Sequence, residues 1–257
     1  IKEIRVEDLY CVVEPGVVHE DFNKALKPRR FFIPGPASTN VATLGGMVAT
    51  NASGAKAVKY GATRDYVMGM EFFSAEGELV TTGSRTVKCV TGYDLGALLI
   101  GSEGTLGVMT QVTFKLVPMP QARRSLIAIF DHMDKASRAV AAIIAQRIIP
   151  ATLEFMDNFT IRAVEDLKPV GLPREAQALL LIEVDGHPDQ VADEAAVVEQ
   201  VLREEGADPI RTAANDKERS EIWAARRSAL PALGRLKPTL VLRTPPSPGA
   251  RSRTWSG

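Results

Sequence analysis

Hydrophobic and polar positions follow two different patterns along the chain, and the change falls at Pro118 and Pro120. The first part is dominated by short apolar or alternating runs, which predict strands. In the last of these runs, alternate residues from Val108 to Leu116 share one face. The predicted strands cover residues 9–13, 67–73, 78–82 and 108–116, with short helices over 17–26 and 93–100. The two prolines end the last strand, so we predict a domain boundary there, with a first domain over 1–120.

After residue 121 the pattern alternates between strands and amphipathic helices. Strands are predicted over 125–130, 152–156, 178–184 and 207–212, and helices over 135–147, 159–167, 190–205 and 216–230. Asp134 is the predicted N-cap of the first of these helices, Arg147 its last residue at helical spacing, and Gly206 the stop of the third. The alternation predicts a compact α/β unit of ferredoxin-like type over 121–242.

Two segments are rich in Gly, Ala, Ser, Thr and Asn and nearly lack large side chains: residues 34–66 and GSEGTLGV at 101–108. Small residues let the main chain approach a partner closely and leave its N–H groups able to donate. The two segments therefore favour the binding of a large, flat, phosphate-bearing cofactor. Two alternatives remain open on the residues alone: a tight helix-to-strand turn at GSEGTLG, and a glycine-softened helix start at LGGMVATNASG. The G-x-x-G-x-x-G spacing disfavours a Rossmann NAD site.

The composition argues against nucleic-acid binding, a membrane span and a metal site. Lys+Arg and Asp+Glu balance at 31 each in 257 residues, so no global field favours nucleic acid or an anionic membrane. No apolar run is long enough to span a bilayer. Cys11 and Cys89 are interpreted as buried free thiols. The three histidines are not spaced as metal ligands, so we expect no metal site.

Five motifs, in this order, carry a resemblance to a known family: PGPAST, LGGMVATNASG, KYGATRDYV, VKCVTGYDL and GSEGTLGV. They resemble the FAD-binding domain of the vanillyl-alcohol oxidase/p-cresol methylhydroxylase flavoproteins. Within that superfamily they look most like FAD subunits of glycolate oxidases and the related D-lactate dehydrogenases. The resemblance covers roughly residues 9–223. It implies an α+β protein: the second half of a PCMH-type FAD-binding domain, then a ferredoxin-like cap domain.

The resemblance also implies which residues bind FAD, and that the flavin is held without a covalent bond. Matching positions along the first segment are Pro34, Ser38, Thr39, Gly45, Gly46, Ala49, Thr50, Asn51, Ser53, Gly54, Tyr60, Gly61 and Thr63. Matching positions in the second segment are Glu103, Gly104, Gly107 and Val108.

In the cap domain, the matching motif is Trp223-Ala224-Ala225-Arg226. Its arginine is expected to hold the substrate carboxylate, a role suited to a planar and permanently charged fork. A solvated surface position for Arg226 is the alternative, and Arg227 is the competing candidate. The implied reaction is the oxidation of a D-2-hydroxy acid, such as glycolate or D-lactate, to the 2-oxo acid. The implied partner is an iron–sulfur or other electron-accepting subunit. The implied location is the cytoplasm, with at most peripheral attachment to the inner membrane through partner subunits.

The chain also departs from the family pattern. The family's first FAD subdomain and its H-x-G-D-G-N-x-H segment, which supplies the catalytic base and metal ligands, have no match here. We therefore expect a chain truncated at both ends, whose tail over 243–257 is disordered or aberrant. The alternative to an active enzyme is a non-catalytic chain that needs a complementing chain to bind FAD.

Overall fold

The structure is a computed structural model that describes residues 1–169, 171–213 and 215–236. The chain divides into two compact units, Ile1–Met119 and Pro120–Gly257. The predicted tail over 243–257 lies outside the described residues.

The first unit is built on a five-stranded antiparallel sheet with the order β1-β2-β6-β4-β5. Its strands are β1 (Glu3–Arg5), β2 (Tyr10–Val13), β4 (Val67–Phe73), β5 (Leu79–Gly83) and β6 (Val108–Lys115). A separate two-stranded pair joins β3 (Phe31–Phe32) to β7 (Val117–Pro118). The helices are α1 (His19–Leu26), α2 (Leu44–Thr50), α3 (Ala57–Tyr60) and α4 (Leu95–Leu99). The core lies where β2 and β6 meet α1 and α2, around Phe22, Met47 and Phe114.

The second unit is a four-stranded antiparallel sheet with the order β11-β8-β10-β9. Its strands are β8 (Ala122–Phe130), β9 (Thr152–Asp157), β10 (Ala178–Gly186) and β11 (Ile210–Thr212). Its helices are α5 (Met133–Ala145), α6 (Asn158–Leu167), α7 (Pro188–Glu204), α8 (Asp216–Arg227) and α9 (Ala229–Gly234). In chain order the sheet reads fourth, first, third, second. The predicted ferredoxin-like arrangement is therefore confirmed, with α6 added between its second and third strands.

The two faces of the second sheet differ in chemistry because successive residues of a strand point to opposite sides. Leu180, Ile182 and Val184 of β10 join one core with residues of α5 and α7. Leu179 and Leu181 join a second core that includes α6 and Trp223 of α8. The charged residues of β10 share this second face, so α8 lies over a sheet surface that is partly polar.

Several sequence predictions were wrong in detail. Asp134 is not the N-cap of α5. His132 is, and Asp134 lies in the first turn, where the helix dipole favours a negative charge. Arg147 lies beyond α5 with φ +64°, where the chain leaves the helix. The predicted helix over 216–230 is two helices that meet at Ser228. Gly206 has φ +84° just after α7, which confirms it as the stop.

The two cysteines do not share one environment. Cys11 is fully buried in β2, and burial raises the pKa of its thiol to about 12. Cys89 is exposed, so the prediction that it is buried was wrong. It lies in the segment between β5 and α4, where neighbouring apolar side chains are exposed as well, Val90 and Tyr93 among them. Among the described residues, no helix combines the length and apolar character needed to cross a membrane.

Candidate FAD site and carboxylate site

The two small-residue segments of the first unit lie against each other. Gly101 N–H donates to the Val48 carbonyl at 3.0 Å, and Glu103 N–H donates to the Ala49 carbonyl at 2.8 Å. A Cβ placed on Gly101 would lie 3.5 Å from Asn51 Cβ. We call α2 and the 101–107 loop together the small-residue wall. The segments that the sequence links only by composition thus form one surface made largely of main chain.

Local chemistry fixes both ends of α2. Thr43 is its N-cap, and the Thr43 hydroxyl oxygen accepts from Gly46 N–H at 3.1 Å. Asn51 ends the helix in the left-handed conformation, with φ +47°. Its side-chain oxygen accepts from Arg64 N–H at 3.0 Å. Asn is one of the residues that tolerate this conformation, so Asn51 joins the end of α2 to the next part of the strip.

Five of the remaining predicted positions border one depression of the first unit: Pro34, Ser53, Gly54, Gly61 and Thr63. The Ala52 carbonyl accepts from both the N–H and the hydroxyl of Thr63, at 3.0 and 2.7 Å. The Tyr60 ring packs edge-on against Phe32, with centroids 5.4 Å apart. An open, shallow depression lies among residues from three stretches: Pro34, Gly35, Ala52, Ser53, Gly54, Lys56, Ala57, Gly61, Ala62 and Thr63.

Some glycines of the site are required by contacts within the protein. A Cβ on Gly45 would lie 2.3 Å from Pro15 Cβ, and one on Gly54 would lie 2.3 Å from the Gly35 carbonyl oxygen. A Cβ on Gly107 would lie 2.8 Å from Phe72 and from the Phe73 carbonyl oxygen. These three positions are closed by packing, so their lack of a side chain is explained by the fold alone.

Two other glycines border open space. Gly104 has φ +78°, and a Cβ there would meet no protein atom within 4 Å. Gly46 is exposed, and a Cβ there would meet only the Thr43 hydroxyl, at 3.0 Å. Val108 follows at the start of β6 with 68% of its surface exposed. The open part of the small-residue wall is therefore bare main chain, and an exposed apolar side chain follows it at Val108.

Main-chain donors are available in the first of the two predicted FAD-binding segments. In the part of the chain that the structure describes, the N–H groups of Ser38, Thr39, Asn40, Ser53 and Gly54 donate to no protein acceptor. Clusters of such groups bind anionic oxygens. The residues present thus fit a cofactor with a flat ring system and a diphosphate.

Glu103 has a main-chain conformation unusual for its residue type. Its φ is +53°, and it lies between Gly101 at +85° and Gly104 at +78°. A residue with a Cβ pays roughly 1–2 kcal/mol for the left-handed region, whereas glycine does not. The loop therefore holds a carboxylate at a strained position.

In the second unit, Arg226 of α8 is held by a carboxylate of β9. Its Nε donates to Glu154 Oε2 at 2.6 Å, and its Nη2 lies 2.5 Å from the same oxygen. The side chains are 35% and 17% exposed, respectively. Arg227 is exposed. Arg226 is therefore the half-buried, paired member of the two candidates, and its Nη1 takes no part in the contact with Glu154.

A second carboxylate on the same sheet face holds the rest of α8. Glu183 of β10 is 2% exposed, and its Oε2 accepts from the Ser125 hydroxyl at 2.9 Å and from Trp223 Nε1 at 3.2 Å. Arg219 Nη1 lies 3.7 Å from the same oxygen. Sequence reasoning missed Glu154 and Glu183. The available signal was a charged residue inside an otherwise apolar strand, which requires a partner when it is buried.

Family models match both units. Residues 1–83 match the FAD binding domain, and residues 119–243 match the C-terminal domain of FAD linked oxidases. The chain thus combines a region of FAD-binding-domain type with a region of the FAD-linked oxidase C-terminal type. The predicted relationship to glycolate oxidase subunits and D-lactate dehydrogenases is confirmed by the curated relatives.

The glycolate oxidase subunit GlcD of Bacillus subtilis is 43% identical over 243 residues, which are 94% of this chain and 52% of that protein. A D-lactate dehydrogenase of Anaerostipes hadrus is 33% identical, over 88% of this chain and 49% of that protein. The chain thus spans about half the length of the curated relatives it matches.

The fold is shared with a solved alkyldihydroxyacetonephosphate synthase. The match has a TM-score of 0.74 at 22% identity and covers 91% of this chain and 47% of that one. Together with the two family models, it confirms the predicted pairing of an FAD-binding domain with an oxidase C-terminal domain.

Proposed function

We propose that this chain is the FAD-binding and substrate-binding part of an enzyme that oxidises a D-2-hydroxy acid, such as glycolate or D-lactate, to the 2-oxo acid. The observation that carries the proposal is the small-residue wall, an open main-chain surface within a domain of FAD-binding type. When bound, FAD supplies the hydride acceptor of the reaction. The residues proposed to hold it lie along 34–63 and 103–108.

The role proposed for Arg226 is to bind the substrate carboxylate. Glu154 occupies the Nε side of the guanidinium, whereas both N–H groups of Nη1 are outside that pair. A guanidinium has five donors, so one Arg can hold two carboxylates at different edges. Orientation of the substrate is the contribution that a fixed, charged fork makes to the rate.

We do not assign to this chain the base that takes the proton from the substrate hydroxyl group. Among the described residues, His19 is buried in α1, and His132 and His187 are exposed at the starts of α5 and α7. The proposal further includes an electron-accepting partner, such as an iron–sulfur subunit, and a cytoplasmic location with peripheral membrane attachment through it. The Bacillus relative is named as a subunit, which supports a partner.

A second candidate is a chain that does not keep FAD without a complementing polypeptide. The depression beside Ser53 and Gly61 encloses almost no volume, whereas pockets that enclose a drug-sized ligand measure about 300–1,000 Å³. Val41 and Leu106 expose apolar surface in the predicted FAD-binding segments. Both observations favour an open site with weak affinity.

The expected behaviour of the purified 257-residue chain follows from both candidates. Desalting removes FAD, and titration followed by flavin fluorescence gives saturable but weak binding. Gly104→Ala weakens this binding at least tenfold, about 1.4 kcal/mol, because the methyl group enters the open side of the small-residue wall.

Gly77→Ala is the matched control. Gly77 has φ +82° and also has no protein atom near an added Cβ, so both variants carry the same backbone strain. Equal FAD affinity of the two variants would contradict the proposed site. A yellow, near-stoichiometric flavoprotein after desalting would contradict the second candidate.

Arg226 allows a separate test of the substrate assignment. In a form that oxidises D-lactate with FAD bound, Arg226→Lys is expected to lower kcat/KM by about 100-fold, since the planar fork contributes about 3 kcal/mol of charge-assisted hydrogen bonding. Arg227→Lys changes kcat/KM by no more than about twofold, because Arg227 is exposed. Steady-state reduction of an artificial dye acceptor measures both. A larger loss for Arg227→Lys would transfer the role to that residue.

A further inference from the structure

Helix α1 places a buried polar pair behind one of the predicted FAD-binding segments. His19, its first residue, is 4% exposed, and Asn23 follows one turn later. Their side chains contact both ends of the segment that runs from Ile33 to Thr39, which we call the 33–39 loop. No motif in the sequence pointed to either residue.

At Ile33 the contacts saturate both main-chain groups. The Asn23 side-chain oxygen accepts from Ile33 N–H at 2.8 Å, and its Nδ2 donates to the Ile33 carbonyl at 2.9 Å. His19 Nε2 lies 2.8 Å from the same carbonyl oxygen. Ile33 is therefore fixed as tightly as a residue in a strand ladder.

At Thr39 the contact is between side chains. His19 Nδ1 lies 2.5 Å from the Thr39 hydroxyl oxygen. His19 Nε2 also lies 3.0 Å from Asn23 Nδ2, an amide nitrogen that can only donate. The shorter contact, 2.8 Å to a carbonyl oxygen that only accepts, assigns the Nε2 proton to Ile33. In the neutral ring Nδ1 is then an acceptor, and the Thr39 hydroxyl must donate to it. Burial lowers the pKa of His19, which favours this neutral form.

The loop between these ends packs onto the ring itself. A Cβ on Gly35 would lie 2.4 Å from His19 Nε2, so only glycine fits there. The backbone of α1 adds a further contact, from Glu20 N–H to the Thr39 carbonyl at 3.0 Å. The side chain of Thr39 is thus turned back to the protein, while the N–H groups of Ser38 and Thr39 have no acceptor among the described residues.

We propose that His19 is a positioning residue for FAD. Its ring, seated between the Ile33 carbonyl and the Thr39 hydroxyl, sets the shape of the 33–39 loop so that the loop's main-chain N–H groups can bind the cofactor. This inference rests on the proposed FAD site and adds a device that orders the site before binding. Order of this kind raises affinity by removing the cost of fixing the loop.

The test measures the effect of the contact between His19 and the Thr39 hydroxyl apart from the stability of the rest of the fold. Thr39→Val removes the donor but keeps the shape of the side chain, and Thr39→Ser restores a hydroxyl. His19→Gln removes the Nδ1 acceptor. Two quantities are measured on the 257-residue chain: FAD affinity by fluorescence titration, and amide hydrogen exchange of the 33–39 loop without FAD.

Thr39→Val and His19→Gln are each expected to speed exchange in the loop and to weaken FAD binding about tenfold. Thr39→Ser stays within about twofold of the wild type. The double variant loses no more FAD affinity than His19→Gln alone, because that change already breaks the contact with Thr39. Unchanged exchange and affinity in Thr39→Val, a half-buried position that does not threaten folding, would overturn the inference while leaving the FAD site standing. Absence of any FAD binding by the wild type would overturn both.

Discussion

Replacement of Glu183 by alanine is expected to lower the free energy of unfolding of the second unit by about 3–5 kcal/mol. Glu183 is the shared acceptor for Ser125 and Trp223 and faces Arg219. Its removal leaves the Ser125 hydroxyl and the Trp223 N–H without their carboxylate acceptor and takes away the negative charge that Arg219 faces. Because Trp223 and Arg219 lie on α8, that helix is expected to loosen when Glu183 is removed.

Thermal and urea unfolding followed by circular dichroism measure this loss. Trp223 fluorescence reports the loosening of α8, with Trp255 exchanged for phenylalanine in all variants. Glu175→Ala is the control, since Glu175 is an exposed carboxylate of the same unit and should change stability by less than about 0.5 kcal/mol. Similar unfolding midpoints for the two variants would show that the Glu183 cluster does not hold the helix.

Gly45→Ala is expected to destabilise the first unit by about 3 kcal/mol or more, at or above the upper end of ordinary overpacking. The added methyl carbon would lie 2.3 Å from Pro15 Cβ and 2.8 Å from Pro15 Cα. Both atoms belong to a rigid ring and its backbone, so no side-chain rotation relieves the clash. The start of α2 must shift, and the small-residue wall shifts with it.

Gly46→Ala, one residue later in the same helix, is the matched control. Its methyl group meets only the Thr43 hydroxyl, and alanine gains about 1 kcal/mol of helix propensity over glycine. Its unfolding midpoint should therefore stay near that of the wild type. A loss as large as that of Gly45→Ala would mean that the contact with Pro15 does not explain why Gly45 lacks a side chain.

The longer elements could be predicted because their hydrophobic pattern and the preferences of their residues indicate the same secondary structure. The strand over 67–73 was predicted at its observed bounds, and the apolar run of β10 predicted most of a strand buried on both faces. The two-residue strands β3 and β7 and the three-residue strand β1 were missed. Such short segments carry no detectable period, and they form only because a distant segment pairs with them.

The candidate site was predictable where composition carries the signal. Two segments of small residues predicted a main-chain surface, and the structure brings them together. The sequence could not separate Gly45, which is closed by Pro15, from Gly104, which borders open space. That distinction depends on atoms about 30 residues away in the first case and on the absence of neighbours in the second.

The polar contacts were the least predictable part. Arg226 and Glu154 are 72 positions apart. A helical or strand period relates residues that are only a few positions apart, so it cannot reveal such a pair. The pair between His19 and Thr39 crosses 20 positions and joins a helix to a loop. Such pairs follow from the packing of whole elements, so they appear only once the fold is known.

At Glu103, the backbone conformation and the side chain favour different choices when this chain is engineered. Its backbone shape suits glycine, so a library screened for heat resistance alone would drift toward glycine at this position and discard the carboxylate. Screening for cofactor retention in parallel would reveal whether that acid group is worth its conformational cost.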